Sequence, residues 1–390
     1  MSETIHTPNP FRRRNDRRSV LRTTPLSPIG DIANATLSKI TGATTLTWET
    51  ASDWDSAVSE VGVAHYNYGD YAGDATVQLG LPATDQTGSA LEGFYGFDEN
   101  SGTTVNDAVG GNDGTYYGSP TLGNAGDHNT DAFGLDGSDD AAEMPALPNI
   151  NSTECSLIQL ANYSSGGTLT QVGGDRNNAP TDGYTLKIQG DARQIVGWTG
   201  GGYNTNACLN TKNVGVWEVS VIRWNGNTFK FDARNPNDGS HYADSPTSAS
   251  VSRGTGSSTP PVVGGGDTGF MSGDVAFSRY YSRRLSDSEV NTVIDGLTSG
   301  TLTTATKSFA TSVSPDLSSL SYSLNGESIT LDVIGSPGTG SEEIVSQSLG
   351  GASSYTLSWS SSHTDFRVKI NIDTTDFRTS PTIGRIGLTQ

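Results

Sequence analysis

The chain has 390 residues, 33% apolar and 17% charged, with 48 glycines and a formal net charge of −19. These values exclude a membrane-spanning chain, whose helices need roughly 20 consecutive apolar residues, and a nucleic-acid binder, which needs basic stripes. Abundant Gly, Ser and Thr with few Lys, Leu or Met predict a mostly β protein of two or three domains, built from short strands and tight turns.

The acid is mainly Asp, 30 against 12 Glu, and only six of the 23 basic residues are Lys. Net charge serves solubility on the plainer reading. On the sharper one the surface suits molar salt, where a screening length of about 3 Å removes self-repulsion. Residues 1–43 read as an extended arm with four prolines, and they are basic: Arg12, Arg13, Arg14, Arg17, Arg18 and Arg22 stand against Glu3 and Asp16 before residue 23. A basic arm ahead of an acidic body predicts a docking tail. Arg17-Arg18-Ser19-Val20-Leu21-Arg22 looks like a twin-arginine export motif, but Pro25, Pro28 and Asp31 interrupt the roughly seven-residue apolar core such a signal needs, so none is expected.

Residues 44–89 predict a small shoulder and linker. Thr45–Trp48 alternates as a strand, Trp54 to Val63 reads as a short helix, and Ala75–Leu81 as another strand. Pro82–Ser89 is a linker. Residues 90–297 form a long β segment. Its strands are expected at Tyr184–Ile188, Gln194–Trp198, Val216–Trp224, Asn227–Phe231 and Gly273–Tyr280. Asn225-Gly226 signals a hairpin, and Ser286 with Glu289 forms a capping box for a closing helix. After a linker at 298–306, residues 307–390 predict a smaller β-sandwich with strands at Ser328–Ile334, Ser354–Trp359 and Phe366–Ile372.

Four motifs in the central segment resemble the laminin-G-like, concanavalin-A-like jelly-roll family of lectins and glucanases. They are Phe97-Asp98-Glu99 with Ser101-Gly102-Thr103-Thr104, Asn112-Asp113-Gly114-Thr115, Leu135-Asp136-Gly137-Ser138-Asp139-Asp140, and the closing Tyr281 to Glu289 stretch. The resemblance covers about 205 residues and implies two packed antiparallel sheets, with ligands on loops or on the concave sheet. Ala141-Ala142 departs from the family's aromatic after Asp-Asp, and the loop from Asn235 to Thr268 is unusually rich in Gly, Ser and Pro. The layout of arm, shoulder, lectin-like module and terminal sandwich is similar to appendage proteins of tailed viruses that infect halophilic archaea.

Catalytic patterns are missing. There is no Glu-x-Asp-x-x-Glu strand for glycoside hydrolysis, no Gly-x-Ser-x-Gly elbow, and no His-x-x-x-His among His6, His65, His128, His241 and His363. No enzyme is expected. Calcium takes six to eight oxygens from carboxylates, amides and carbonyls. The family resemblance implies a structural Ca2+ near Asp136 and Asp139, with Asp113 and Asp274 as weaker candidates; an acidic loop suited to brine is the competing reading. Aromatics that stack on sugar faces point to Trp198, Tyr203 and Asn204, which flank the Gly200-Gly201-Gly202 bend on an expected loop. Trp217 and Trp224 read as core. Cys155 and Cys208 are expected to be buried free thiols. Asn34, Asn151 and Asn162 each begin an Asn-x-Ser/Thr triplet, common by chance in such a chain.

The resulting expectation is a structural protein on the surface of a halophilic archaeal virus, a tail fibre or capsid turret. Its arm docks into other virion proteins and its lectin-like module meets a host cell-surface glycan. It would be a homo-oligomer with no nucleic-acid partner and no membrane insertion. The rival is a cellular, secreted adhesin or carbohydrate-binding module.

Overall fold

The computed structural model describes residues 45–390 except 56, 62, 67–75, 80–89, 110, 127–130, 148, 151, 173–179, 181, 190–191, 212–213, 243–246, 256–259 and 267–268. The basic arm and the Pro82–Ser89 linker lie outside the described residues. The protein is mostly β, as its composition predicts, with antiparallel sheets packed as two sandwiches.

In the larger sandwich two eight-stranded sheets enclose one core. The first runs Thr247–Ser250, Thr228–Arg234, Trp217–Asn225, Glu154–Tyr163, Ser272–Tyr281, Asp131–Asp136 and Thr121–Ala125, with Leu91–Tyr95 also paired to Ser272–Tyr281. The second runs Gly202–Thr211, Ala192–Thr199, Gly183–Gln189, Gly167–Val172, Pro261–Val263, Ala141–Glu143, Gly114–Tyr117 and Thr104–Val105. Period-two alternation sorts the strand Trp217–Asn225. Ile222 and Trp224 point inward against Tyr184, Leu186 and Phe229, whereas Val219 and Val221 point out. Each buried side chain of this kind contributes about 1.5–3 kcal/mol. The Asn225-Gly226 signal does mark a hairpin, but the pairing of Asn225 with Thr228 makes Gly226 and Asn227 the two turn residues, with Gly226 at φ +58°.

The outward face of the first sheet is apolar in its middle, where the helix Asp287–Asp295 covers it. The helix starts where the sequence says. Ser286 Oγ accepts the Glu289 N–H at 3.2 Å, and Glu289 Oε2 accepts the Ser286 N–H at 2.7 Å. Val290, Val293 and Ile294 share one face and bury it on Val219, Val221 and Phe277. Phe377, from the smaller sandwich, joins this layer and meets Trp217 edge-on at 5.9 Å.

The smaller sandwich differs from expectation in its membership. The described strands between Thr45 and Leu79 do not stand apart as a shoulder. Thr45–Trp48 pairs with Thr382–Thr389, Thr76–Leu79 joins the same strand and then Val63–Tyr66, and Ser59–Val61 pairs with Ser299–Thr303. The expected linker 298–306 is therefore itself a strand of the sandwich, bonded to His363–Asp373. The expected helix at Trp54–Val63 lies earlier, at Ala51–Asp55, because Asp53 Oδ2 accepts the N–H groups of Glu49 and Thr50 and fixes the turn there. Ser354–Trp359 forms no ladder; Tyr355 makes a single bridge to Leu317, and Leu357 N–H goes instead to Asp316 Oδ1. The core joins Trp48, Trp54, Leu331, Phe366, Ile370 and Ile386.

Candidate ligand-binding site

Beyond the helix, the outward face of the first sheet turns polar. Register sets Thr121, Gly134, Asp274, Asn162 and Trp217 in one row across five strands, each opposite the next. One step along, Asp136 lies opposite Ser272, whose Oγ is 2.7 Å from Ser164 Oγ. Alternation explains the segregation: Phe133 and Leu135 enter the core, so Gly134 and Asp136 face out, and Val275 inside leaves Asp274 outside.

Thr121, Gly134, Asp136, Asn162, Ser164, Ser272 and Asp274 line an open cavity of about 320 Å3, together with Asn124, Leu135, Gly215 and Gly273; Trp217 lies outside its lining. Its floor depends on glycine. A Cβ on Gly134 would lie 2.3 Å from Asn124 Nδ2 and 3.2 Å from Asp274 Oδ1; one on Gly273, at φ +144°, would lie 2.1 Å from the Asn162 carbonyl oxygen. The space left open is bridged by Asn124 Nδ2–H, which donates to Asp274 Oδ1 at 2.7 Å. Asn162 Oδ1 is shielded and has no hydrogen-bond partner. The cavity thus presents two carboxylates, two amides and several hydroxyls with no basic side chain, a set suited to fixing a polyhydroxylated ligand or a cation.

Asp136 belongs both to this cavity and to the adjoining acidic turn. Among the described residues one group of potential metal ligands forms: Asp136, Asp139 and Asp140 bring carboxylate oxygens within 4.8 Å of one another. Asp136 and Asp139 are the two favoured candidates, and Asp140 joins them. Asp140 is buried, its Oδ1 accepting the Ser119 N–H at 2.7 Å and its Oδ2 the Asp136 N–H at 3.0 Å. Asp136 Oδ1 accepts the Ser138 N–H at 2.7 Å. The turn can hold a metal such as Ca2+, and these bonds pre-shape it. Asp113 is engaged elsewhere, accepting the Asp107 N–H at 3.0 Å, and Asp274 faces the cavity.

The proposed stacking set lies in the opposite sheet. Its expected loop is a tight hairpin: Trp198 pairs with Tyr203 and Gly197 with Asn204, while Gly200 and Gly201, at φ +57° and +80°, form the two-residue turn. Trp198 is 7% exposed and its Nε1–H donates to Thr185 Oγ1 at 3.1 Å, so it does not stand open for stacking. The side chains of Tyr203 and Asn204 are outside the described residues. Trp224 is core; Trp217 instead faces out, half-buried, beside Asn162. Cys155 is a buried free thiol, raised to about 11 chiefly by burial; the Cys208 side chain is outside the described residues. Arg12, Arg13, Arg14, Arg17, Arg18 and Arg22 lie outside them too.

One hydrogen-bonded Ser–His–Glu chain was not visible in sequence. Ser336 Oγ is 2.9 Å from His363 Nδ1, and His363 Nε2 is 2.9 Å from Glu343 Oε2. Pro337 follows the serine and has no N–H, and the next N–H, from Gly338, is given to Glu342. Neither is open to an oxyanion, so the chain reads as a clamp on the 335–343 loop.

No family model matches this chain, and no curated protein matches it. Solved structures similar to part of it include domain 4 of AbnA, an extracellular GH43 arabinanase from Geobacillus stearothermophilus, in complex with arabinotriose (16% identity, 53% of this chain and 98% of that one, TM-score 0.40). The receptor-binding domain of botulinum neurotoxin C/D mosaic serotype (14%, 53% and 51%, 0.38) and Trypanosoma rangeli sialidase in complex with sialic acid (14%, 53% and 32%, 0.38) are others. The chain thus spans about half of the neurotoxin chain and a third of the sialidase. At these scores the likenesses assign neither ligand nor activity to this chain.

Proposed function

We propose that this is a non-enzymatic attachment protein on the particle surface of a virus of halophilic archaea, whose larger sandwich binds a host glycan in the cavity between Asp136, Asn162 and Asp274. The observation that carries the binding reading is the set of uncovered outward polar residues in register on neighbouring strands, beyond the apolar patch that the helix covers, opened by Gly134 and Gly273. Polar side chains in fixed strand positions present hydrogen-bond donors and acceptors with little ordering cost, which is what a hydroxyl-rich ligand requires. Trp217 adds an aromatic edge beside them. The acidic turn next to the cavity would hold a structural Ca2+ that stiffens Asp136. The particle reading rests on charge: six arginines in a basic arm ahead of an acid-rich body suit docking into a partner, and repeated copies would turn weak glycan contacts into avidity. The same docking argument serves a tail fibre and a capsid turret alike.

The binding reading is tested by a glycan array probed with the full chain in molar salt. Asn162→Ala and Asp274→Ala each remove one fixed hydrogen-bonding group and are expected to weaken any hit about tenfold or more, at unchanged melting temperature. Hits that survive both variants but fall with Tyr203→Ala would move the site to the hairpin tip. No hit with any glycan would remove the lectin reading, and truncation of residues 1–22 that leaves particle incorporation normal would remove the docking one.

A further inference from the structure

The smaller sandwich carries a second built cavity, at the end of the strand Asp316–Ser323 and beneath the 350–353 loop, with a volume of about 550 Å3. Its walls are Leu320, Tyr322 and Leu324 on one side and Gly351 and Ser353 on the other, with Ser321 at the rim. No Asp, Glu, Lys, Arg or His lines it. In a chain with net charge −19, an uncharged cavity of ligand size is a distinct chemical environment.

What organises it is a pair of tyrosines. Tyr322 Oη donates to the Ala352 carbonyl at 2.9 Å and accepts the Gly351 N–H at 2.7 Å. Tyr355 Oη accepts N–H from Gly350 at 2.5 Å and from Ala352 at 3.3 Å. The two hydroxyls are 3.1 Å apart, and because the Tyr322 proton is already used, Tyr355 is the donor between them. Each hydroxyl therefore gives its one proton and receives two. Neither has capacity left for a ligand, and neither side chain can swing away without breaking three bonds. Tyr322 consequently offers the cavity a ring anchored in place by its hydroxyl rather than a free hydroxyl. The remaining polar groups are Ser321 and Ser353, both exposed, and among the described residues neither hydroxyl has a side-chain partner.

We infer that this cavity is a second saccharide-binding site, selective for uncharged sugars. A sugar ring stacks its C–H face on the fixed aromatic surface and directs hydroxyls to Ser321 and Ser353, while the absence of any cationic side chain leaves an acidic sugar uncompensated in a negatively charged protein. Pre-ordering of the ring removes part of the entropy cost of binding. The site is independent of the glycan cavity in the larger sandwich and does not require it.

Saturation-transfer NMR on the full chain in molar salt tests this, with methyl glucoside, methyl galactoside, methyl mannoside and glucuronate as probes. In an Asp274→Ala background, which weakens the cavity of the larger sandwich, at least one neutral glycoside is expected to receive saturation that falls about tenfold, or about 1.4 kcal/mol, when Tyr322→Ala is added. If Tyr322→Ala lowers the melting temperature, Ser353→Trp fills the cavity from an exposed position and is expected to give the same loss. Glucuronate is expected to show none. The inference is overturned if no neutral glycoside is saturated, if saturation survives Tyr322→Ala or Ser353→Trp, or if glucuronate binds equally and is lost with the same variants.

Discussion

Glu218 lies wholly buried between the sheets of the larger sandwich and holds three groups at once. Its carboxylate pairs with Arg193, itself 2% exposed, and Oε1 accepts from the Tyr163 hydroxyl at 2.8 Å and from Ser220 Oγ at 3.0 Å. Burial, and then the charge of Glu218, push the Tyr163 phenol well above its usual range. Glu218→Gln preserves shape but leaves the Arg193 guanidinium in the interior without that carboxylate. Removing one partner of a buried pair costs about 3–5 kcal/mol, whereas replacing both with apolar residues is often neutral or stabilising. Glu218→Gln is therefore expected to cost several kcal/mol, and Arg193→Met with Glu218→Leu to cost far less than either single change. Urea unfolding in molar salt reads this, with Trp224, buried in the same core, as the fluorescent reporter. A single variant within about 1 kcal/mol of wild type, or a double variant as unstable as the single, would refute the desolvation argument.

Three further outcomes follow from electrostatics. Lys230 and then Arg223 hold Asp287 at about 2, below its ordinary 3.8, and Arg283 with the Ser286 N–H holds Glu289 at about 2, below 4.5. Both folded values are depressed, so their stabilisation is complete above about pH 4.5 and is lost as pH falls toward 2. Solvent screening limits each to about 1 kcal/mol or less, and Glu289→Gln should flatten part of the acid limb of the melting curve. Raising salt from about 0.1 M to 1 M shortens the screening length from about 10 Å to about 3 Å and should raise the melting temperature, most steeply at low salt; a fall would contradict adaptation to brine. Calcium at a hundred times its dissociation constant should stabilise the larger sandwich by about 2.7 kcal/mol, an effect Asp139→Ala abolishes. Identical melting with calcium and with chelator would remove the metal.

Local patterns made much of the fold readable. The alternation around Trp217–Trp224, the hairpin signalled by Asn225-Gly226 and the Ser286–Glu289 capping box each act within a few residues; the alternation and the capping box are in place, and the hairpin turns at Gly226-Asn227. Long-range pairing was not readable. Thr45 meets Thr389 across nearly the whole described chain, so nothing local announces that the described strands between Thr45 and Leu79 complete the terminal sandwich. The cavity was half legible. Asp136 and Asp274 are outward positions in alternating strands, but their convergence with Asn124 and Asn162 depends on bulges at Leu122/Asn124 and Leu160/Ala161 that shift register. Trp198 misled because three consecutive glycines suggest a loop, whereas two of them suffice for a tight hairpin. Asp140 differs from Asp139 only by facing the interior, where the Ser119 and Asp136 N–H groups take its charge.

The most direct test of the attachment function is gold-antibody labelling of purified particles, run beside binding of the full chain to host envelopes in molar salt. Label on a projecting structure, with saturable envelope binding that Asp274→Ala weakens, is the predicted result. Absence of label from every particle would contradict the particle assignment. Envelope binding that is absent, or that ignores Asp274→Ala, would contradict glycan recognition through this cavity.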